Sequence, residues 1–223
     1  MKRHIFVLRY NGPVRITRNE VEMKIFQRLN SLFWKCYLRF HGARVGKNFK
    51  AEGIIYILLR DGGKLSNVII GDNVTLGGTI YLRIRKNGRI ILHDKVRTGT
   101  HIWLVAANDA DLEIGENTSV GSYSVFNAGH GLKIGAHCIF ANFVYMNTSD
   151  HGFKKGELIQ NQGFFGGPIE LGDDVWLGGQ VFINKGIKIG TGSVIGAGAV
   201  VTKDIPEYQI AVGNPARVIR ERD

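Results

Sequence analysis

From Leu171 to Pro206 the chain runs as six consecutive six-residue units: LGDDVW, LGGQVF, INKGIK, IGTGSV, IGAGAV and VTKDIP. Each opens on an aliphatic residue (Leu171, Leu177, Ile183, Ile189, Ile195, Val201), usually followed by glycine. The fifth position is small or branched: Val175, Val181, Ile187, Ser193, Ala199, Ile205. A strand sends alternate side chains to opposite faces, so the fifth residue of one unit and the first of the next point inward together. Glycine lets the chain turn at backbone angles that other residues resist. Strand, turn, strand at this period gives a triangular coil of about eighteen residues per turn, and stacked coils form a β-helix around a continuous aliphatic core.

Weaker copies precede this run. Val45-Gly46, Ile70-Gly71, Leu92-His93, Ile114-Gly115 and Ile134-Gly135 each open a similar unit. Their wider spacing predicts early coils with bulged corners or small loops. The interval from Ile134 to Leu171 reads as two coils, within which Asn147 to Pro168 breaks the hexad and reads as an external loop. Val21 to Phe40 carries apolar residues near helical spacing (Val21, Ile25, Leu29, Leu32, Phe33, Cys36, Phe40) interrupted by Lys24, Arg28, Lys35 and Arg39. It predicts one amphipathic helix, either a cap over the open end of the coil stack or a membrane-surface or partner helix.

Composition narrows the setting. Thirty glycines with four prolines fit the repeat and exclude a collagen-like chain or a Pro/Gly-rich linker. No apolar run approaches the ~18 residues that span a bilayer. The stretch Ile5 to Leu8 is cut by Arg9, too short for a secretory signal. Two cysteines, Cys36 and Cys138, make no disulfide framework and predict reduced thiols in the cytoplasm. The net charge of +10 attracts anions: nucleic acid, phosphorylated small molecules or an anionic membrane.

Asp150-His151, ELGDDVWLGG (170–179), IGAGAVVTKDIP (195–206) and VGNPARVIR (212–220) together resemble the hexapeptide-repeat acyltransferases, in the branch of maltose, galactoside and polysaccharide O-acetyltransferases. The resemblance is good over residues 112–222 and rests on weak repeats over 44–111. It implies an all-β solenoid, a left-handed parallel β-helix. Together with the residue patterns above, it divides the chain into an N-terminal arm and amphipathic helix (1–43), which does not resemble the start of the maltose and galactoside enzymes, a transferase domain (44–211, external loop 147–168) and a C-terminal tail (212–223). It further implies a homotrimer, with acetyl-CoA as acyl donor in a groove between neighbouring solenoids.

Acyl transfer from a thioester to an alcohol needs a base for the hydroxyl, donors for the tetrahedral oxyanion, and alignment of the partners. A histidine, titrating near neutral pH, suits the first task. Of seven histidines, His151 stands where the family carries its catalytic base. By the same resemblance, Trp176, Gly178 and Gly179 line the thioester, with a backbone N–H of that turn as oxyanion donor. Ala197, Thr202 and Lys203 meet the coenzyme, and Arg217 and Arg220 meet its phosphates, which guanidinium groups suit. Asn127, His130, Asn142, Asn147 and Asp150 are candidate acceptor residues. The segment Asn127-Ala128-Gly129-His130 departs from the acidic or polar residues usual there. No two histidines have the four-residue separation of the zinc site on related carbonic anhydrases, so no metal is expected.

The irregular early coils and basic N-terminus look more like transferases of surface polysaccharide or lipopolysaccharide assembly. The expected acceptor is a sugar, nucleotide-sugar or lipid-linked saccharide, and the expected location is the cytoplasm, extending to the inner face of an anionic membrane. Two alternatives stay open. One is N-acetylation of an amino sugar or amino acid. The other is a non-catalytic anion-binding solenoid; Arg83, Arg85, Lys86 and Arg89 form the densest basic cluster, but no nucleic-acid-binding module accompanies them.

Overall fold

A computed structural model describes residues 18–223, with side chains from residue 22 onward; the arm expected at the extreme N-terminus lies outside them up to residue 17. The chain forms helix α1 (Arg18–Phe40), then a left-handed parallel β-helix of about seven turns. Three parallel sheets make the sides of the prism. Face 1 runs from Arg44–Val45 to Lys188–Ile189, face 2 from Lys50–Ala51 to Gln209–Val212, and face 3 from Ile55–Arg60 to Val200–Val201. The first corner joins face 1 to face 2, the second joins face 2 to face 3, and the third returns to face 1.

Inward positions of the hexads follow the expected alternation: Leu171, Val175, Leu177, Val181, Ile183, Ile187 and Ile189 are all buried. Each stacks on the equivalent residue one coil away, so Phe126 lies between Leu104 and Met146 on face 3. The glycines after the aliphatic residues serve close approach rather than an unusual backbone angle. A Cβ on Gly178 would lie 2.5 Å from the backbone nitrogen of Ala197 in the next coil. Positive φ falls instead at the fourth hexad position, Asp174, Gln180, Gly186, Gly192 and Gly198. Non-glycine side chains thus occupy left-handed corners, where they stack: His101, Tyr123 and Phe143 lie ring on ring, with centroids 4.8 and 5.2 Å apart.

The early coils are long because face 3 widens into strands such as Ile55–Arg60 and Ile80–Arg85, paired in register over six residues, and because the third corner of the first coil carries a small loop with a 3-10 turn at Leu65–Asn67. The reading of the interval before Leu171 is corrected. Ile134 pairs directly with Leu171, so the interval between them is one coil, not two. The surplus length leaves at the third corner as an antiparallel hairpin, Ser149–His151 against Phe164–Gly166. Helix α1 lies across the open end of the coil stack, where the capping alternative sets it, but its apolar stripe does not pack on the coils. The packing side is mostly polar: Asn30 Nδ2 donates to Ala51 O and Gly53 O at 2.8 Å, Trp34 Nε1 donates to Gly53 O, and Ala51 N donates to Ser31 Oγ. These are the backbone groups of the first coil that have no strand beyond them, so the helix takes the place of a missing strand. Leu38, fully buried, is its main apolar anchor.

The C-terminal tail also rejoins the solenoid. Arg217–Glu221 folds back antiparallel on Gln209–Val212 and extends face 2. Two residues of the basic cluster form ion pairs between coils, Arg85 with Asp61 at 2.9 Å and Arg89 with Asp111, and Lys86 donates to Asn108 Oδ1.

Candidate active site

The hairpin at the third corner gathers most of the acceptor candidates. Its root is fixed by a buried hydroxyl: Thr148 Oγ1 donates to Asn127 O at 2.9 Å and accepts from His130 N at 3.0 Å. Above it, Asn127 Nδ2 donates to Asn147 Oδ1 at 3.0 Å, one rung of a side-chain ladder between coils, and Asn147 Nδ2 donates to Ser149 O. Asp150 pairs with the Lys185 ammonium from the following coil, which ties the hairpin to the solenoid. His151 is exposed, its ring tilted against Phe164 across the hairpin with centroids 4.2 Å apart. Gln162 closes the far end of the loop, accepting from Lys154 N and donating to Lys154 O and Glu157 O.

His130 lies under this hairpin. Its Nδ1 is buried and has no hydrogen-bond partner among the described residues. A Cβ on Gly166 would fall 2.1 Å from that nitrogen, so glycine at this position is what admits the ring. An imidazole with one unmet nitrogen is a hydrogen-bonding group held in reserve at the foot of the loop.

The remaining candidates lie elsewhere. Trp176 stands exposed on face 2, in register with exposed Ile139. Gly178, Gly179 and Ala197 form the second corner, one side of the prism away from His151. Asn142 is also there, its Oδ1 accepting from Ser122 N at 2.9 Å. Thr202 and Lys203 are exposed on the third corner, below the hairpin. Arg217 and Arg220 lie on the returning C-terminal strand; Arg220 pairs with Asp223 at 2.9 Å. His93 and His137 sit at coil corners and bond across coils to Glu113 and Asn117. Among the described residues no three His, Cys, Asp or Glu side chains gather as metal ligands.

Sequence reasoning missed Lys185, Thr148, Phe164 and Gly166. The first two were accessible from register: Met146 pairs with Ile183, which sets Thr148 opposite Lys185 once the insertion is recognised.

Residues 168–203 match the family described as bacterial transferase hexapeptide (six repeats). A Mycobacterium tuberculosis (strain ATCC 25618 / H37Rv) protein named Probable acetyltransferase Rv3034c is 35% identical over 119 residues, 53% of this chain; the match spans 40% of that relative's length. Among solved structures, AntD, an N-acyltransferase from Bacillus cereus in complex with dTDP and 3-hydroxybutyryl-CoA, shares the fold at TM-score 0.54 and 19% identity, covering 85% of this chain and 88% of that one. A maltose O-acetyltransferase from Clostridium difficile 630 aligns at TM-score 0.48 and 26% identity over 91% of this chain and 86% of its own.

Proposed function

We propose that the hexapeptide-repeat transferase domain carried by this chain is an acetyl-CoA-dependent O-acetyltransferase. In this reading it acts as a homotrimer on a sugar hydroxyl, in surface polysaccharide or lipopolysaccharide assembly, with His151 as general base. The observation that carries the reading is the division of the candidate residues between two corners of one prism. His151, Asp150, Asn147, Asn127 and His130 gather at the third corner, whereas Trp176, Gly178, Gly179 and Ala197 belong to face 2 and the second corner. In the homotrimer proposed here, copies pack side by side around a threefold axis with the second corner of one against the third corner of the next. A site completed in this way holds the coenzyme between two chains, with Thr202 and Lys203 on the same corner as the histidine. Arg217 and Arg220 supply cations for the phosphates, and Asn142 reaches the acceptor from the neighbouring chain.

The chemistry then follows from the residues. The exposed imidazole of His151 takes the proton of the acceptor hydroxyl as its oxygen attacks the thioester carbonyl. A backbone N–H of the Gly178-Gly179 turn donates to the oxyanion, a contact of the kind that contributes most to such reactions. Collapse breaks the carbon–sulfur bond, and the imidazolium returns its proton to the leaving thiolate. No acyl-enzyme forms, because the hydroxyl attacks directly. Asp150 is held by Lys185, so its carboxylate is fixed for a sugar hydroxyl rather than free to take the base's place.

A thermal-shift series tests donor binding. Acetyl-CoA at ~100 times its dissociation constant adds about 2.7 kcal/mol of apparent stability. In a chain of this size that raises the midpoint by about 5–10 °C. No shift with acetyl-CoA, propionyl-CoA or free coenzyme A overturns the reading.

A further inference from the structure

Because α1 turns its polar side to the first coil, its other side is left facing away from the solenoid. Ile25, Phe26, Leu29, Phe33 and Phe40 lie on that outward side, with Phe40 87%, Phe26 63% and Leu29 61% exposed, and exposed Leu32 borders it where the helix meets the cavity it forms with the first two coils. No polar residue interrupts the strip between Phe26 and Phe40 on its centre line, and exposed Cys36 lies within it. Apolar strips of this length are not left to water in a stable protein; they mark a contact. Lys24, Arg28 and Lys35 follow one edge of the strip. With Lys50 they line an open cavity of about 690 Å³ between the helix and the first two coils, where Glu52 is the one acid. None of these four cations is in an ion pair among the described residues.

We infer that this end of the solenoid docks on an anionic lipid surface, with the outward side of α1 lying in the headgroup plane and Lys24, Arg28 and Lys35 against the phosphates. Charge complementarity selects the occupant. An apolar strip edged by cations is the pattern of a helix that lies in a membrane interface, where buried apolar area and attraction to anionic lipid act together. A second copy is a poor match: it brings the same cationic row and the same net charge of +10. The hydrogen bonds to Ala51 and Gly53 fix the helix across the end of the coil stack, so its outward side points along the solenoid axis. A trimer with that axis, as proposed above, would set three such helices in one plane. No helix among the described residues is long and apolar enough to cross a membrane, so the contact is with one leaflet.

The test is flotation of the full chain with vesicles of neutral phosphatidylcholine, alone or with about 30% phosphatidylglycerol. The wild type is expected to float with the anionic vesicles and to be released as salt rises. L29D/F33D should lower the bound fraction at least tenfold with an unchanged thermal midpoint, since both side chains are exposed. K24E/R28E should remove the preference for anionic lipid. A second readout uses Cys36, which a thiol-reactive fluorophore should label selectively, because Cys138 is buried and its thiol is pushed up to about 11 by desolvation. Its emission should shift to the blue on anionic vesicles. Failure of the wild type to float, or flotation of L29D/F33D equal to wild type, overturns the inference. So does a wild type that ignores vesicles while L29D/F33D falls from a trimer to a monomer in sedimentation, which assigns the strip to contacts between copies. The acetyl-CoA thermal shift, run on the same samples, separates failure of this inference from failure of the transferase reading.

Discussion

His151→Ala is expected to lower kcat by about 10²–10⁴-fold, the usual range for loss of a general base, while the KM for acetyl-CoA and the thermal midpoint stay near wild type. The structural half of that expectation is direct. His151 is exposed on a hairpin outside the three sheets, and its recorded ring contact is with Phe164 across the same hairpin. Removing the imidazole therefore opens no cavity in the core. The chemical half rests on the proposed role. The assay is coenzyme A release, read with a thiol reagent over a panel of free sugars, nucleotide-sugars and lipid-linked saccharides. Base-stable against base-labile product distinguishes transfer to nitrogen from transfer to oxygen. Activity of His151→Ala close to wild type on any acceptor would remove the residue from the reaction.

The second large effect is on stability. Phe126→Ala should cost about 3–5 kcal/mol, lowering the midpoint by about 10 °C in a chain of this length. Phe126 is fully buried between Leu104 and Met146 of the adjoining coils, and meets Phe140 edge-on at 6.1 Å. A solenoid has few ways to close such a hole, because each coil is hydrogen-bonded to both neighbours and cannot slide inward alone. Tyr123, three residues earlier in the same coil, is the internal control. It is half exposed and stacks between His101 and Phe143 at the corner. Its replacement by alanine forfeits stacking of about 1 kcal/mol and no core volume. Thermal or denaturant unfolding of the pair checks the contrast; equal losses would contradict the assignment of inward and outward positions.

How much of this was legible in the sequence depends on what each signal encodes. The run from Leu171 to Ile205 gave coil, core and corner together, because an uninterrupted six-residue period leaves one solution. The early coils hid theirs because face 3 widens, and lengthening one side of the triangle changes the spacing without changing the architecture. The interval before Leu171 was misread because length alone does not distinguish an extra coil from a hairpin that leaves the stack. That same error concealed Lys185, whose position opposite Thr148 follows from register and whose ammonium pairs with Asp150 two residues further on. The helix carries a different lesson. Its apolar stripe was visible, but hydrophobic periodicity says which side avoids water, not which side meets the fold. The open edge of a β-coil offers unpaired backbone groups, and Asn30, Ser31 and the Trp34 indole are what can satisfy them. The glycines were found for a partly wrong reason: those after the aliphatic residues admit the next coil's backbone, whereas the left-handed angles fall two positions later.

The central claim is that the site is shared between chains, and subunit mixing tests it most directly. His151→Ala disables one half of the site; Ala197→Trp fills the proposed pantetheine path on the other half. Each variant alone should be inactive. Unfolded together in equal amounts and refolded, they should form mixed trimers in which roughly a quarter of the sites join an intact His151 to an intact second corner, so activity should return to about that fraction of wild type. Mixed trimers verified by differential labelling that stay inactive, although each variant alone is folded and trimeric, would contradict a site built from two chains.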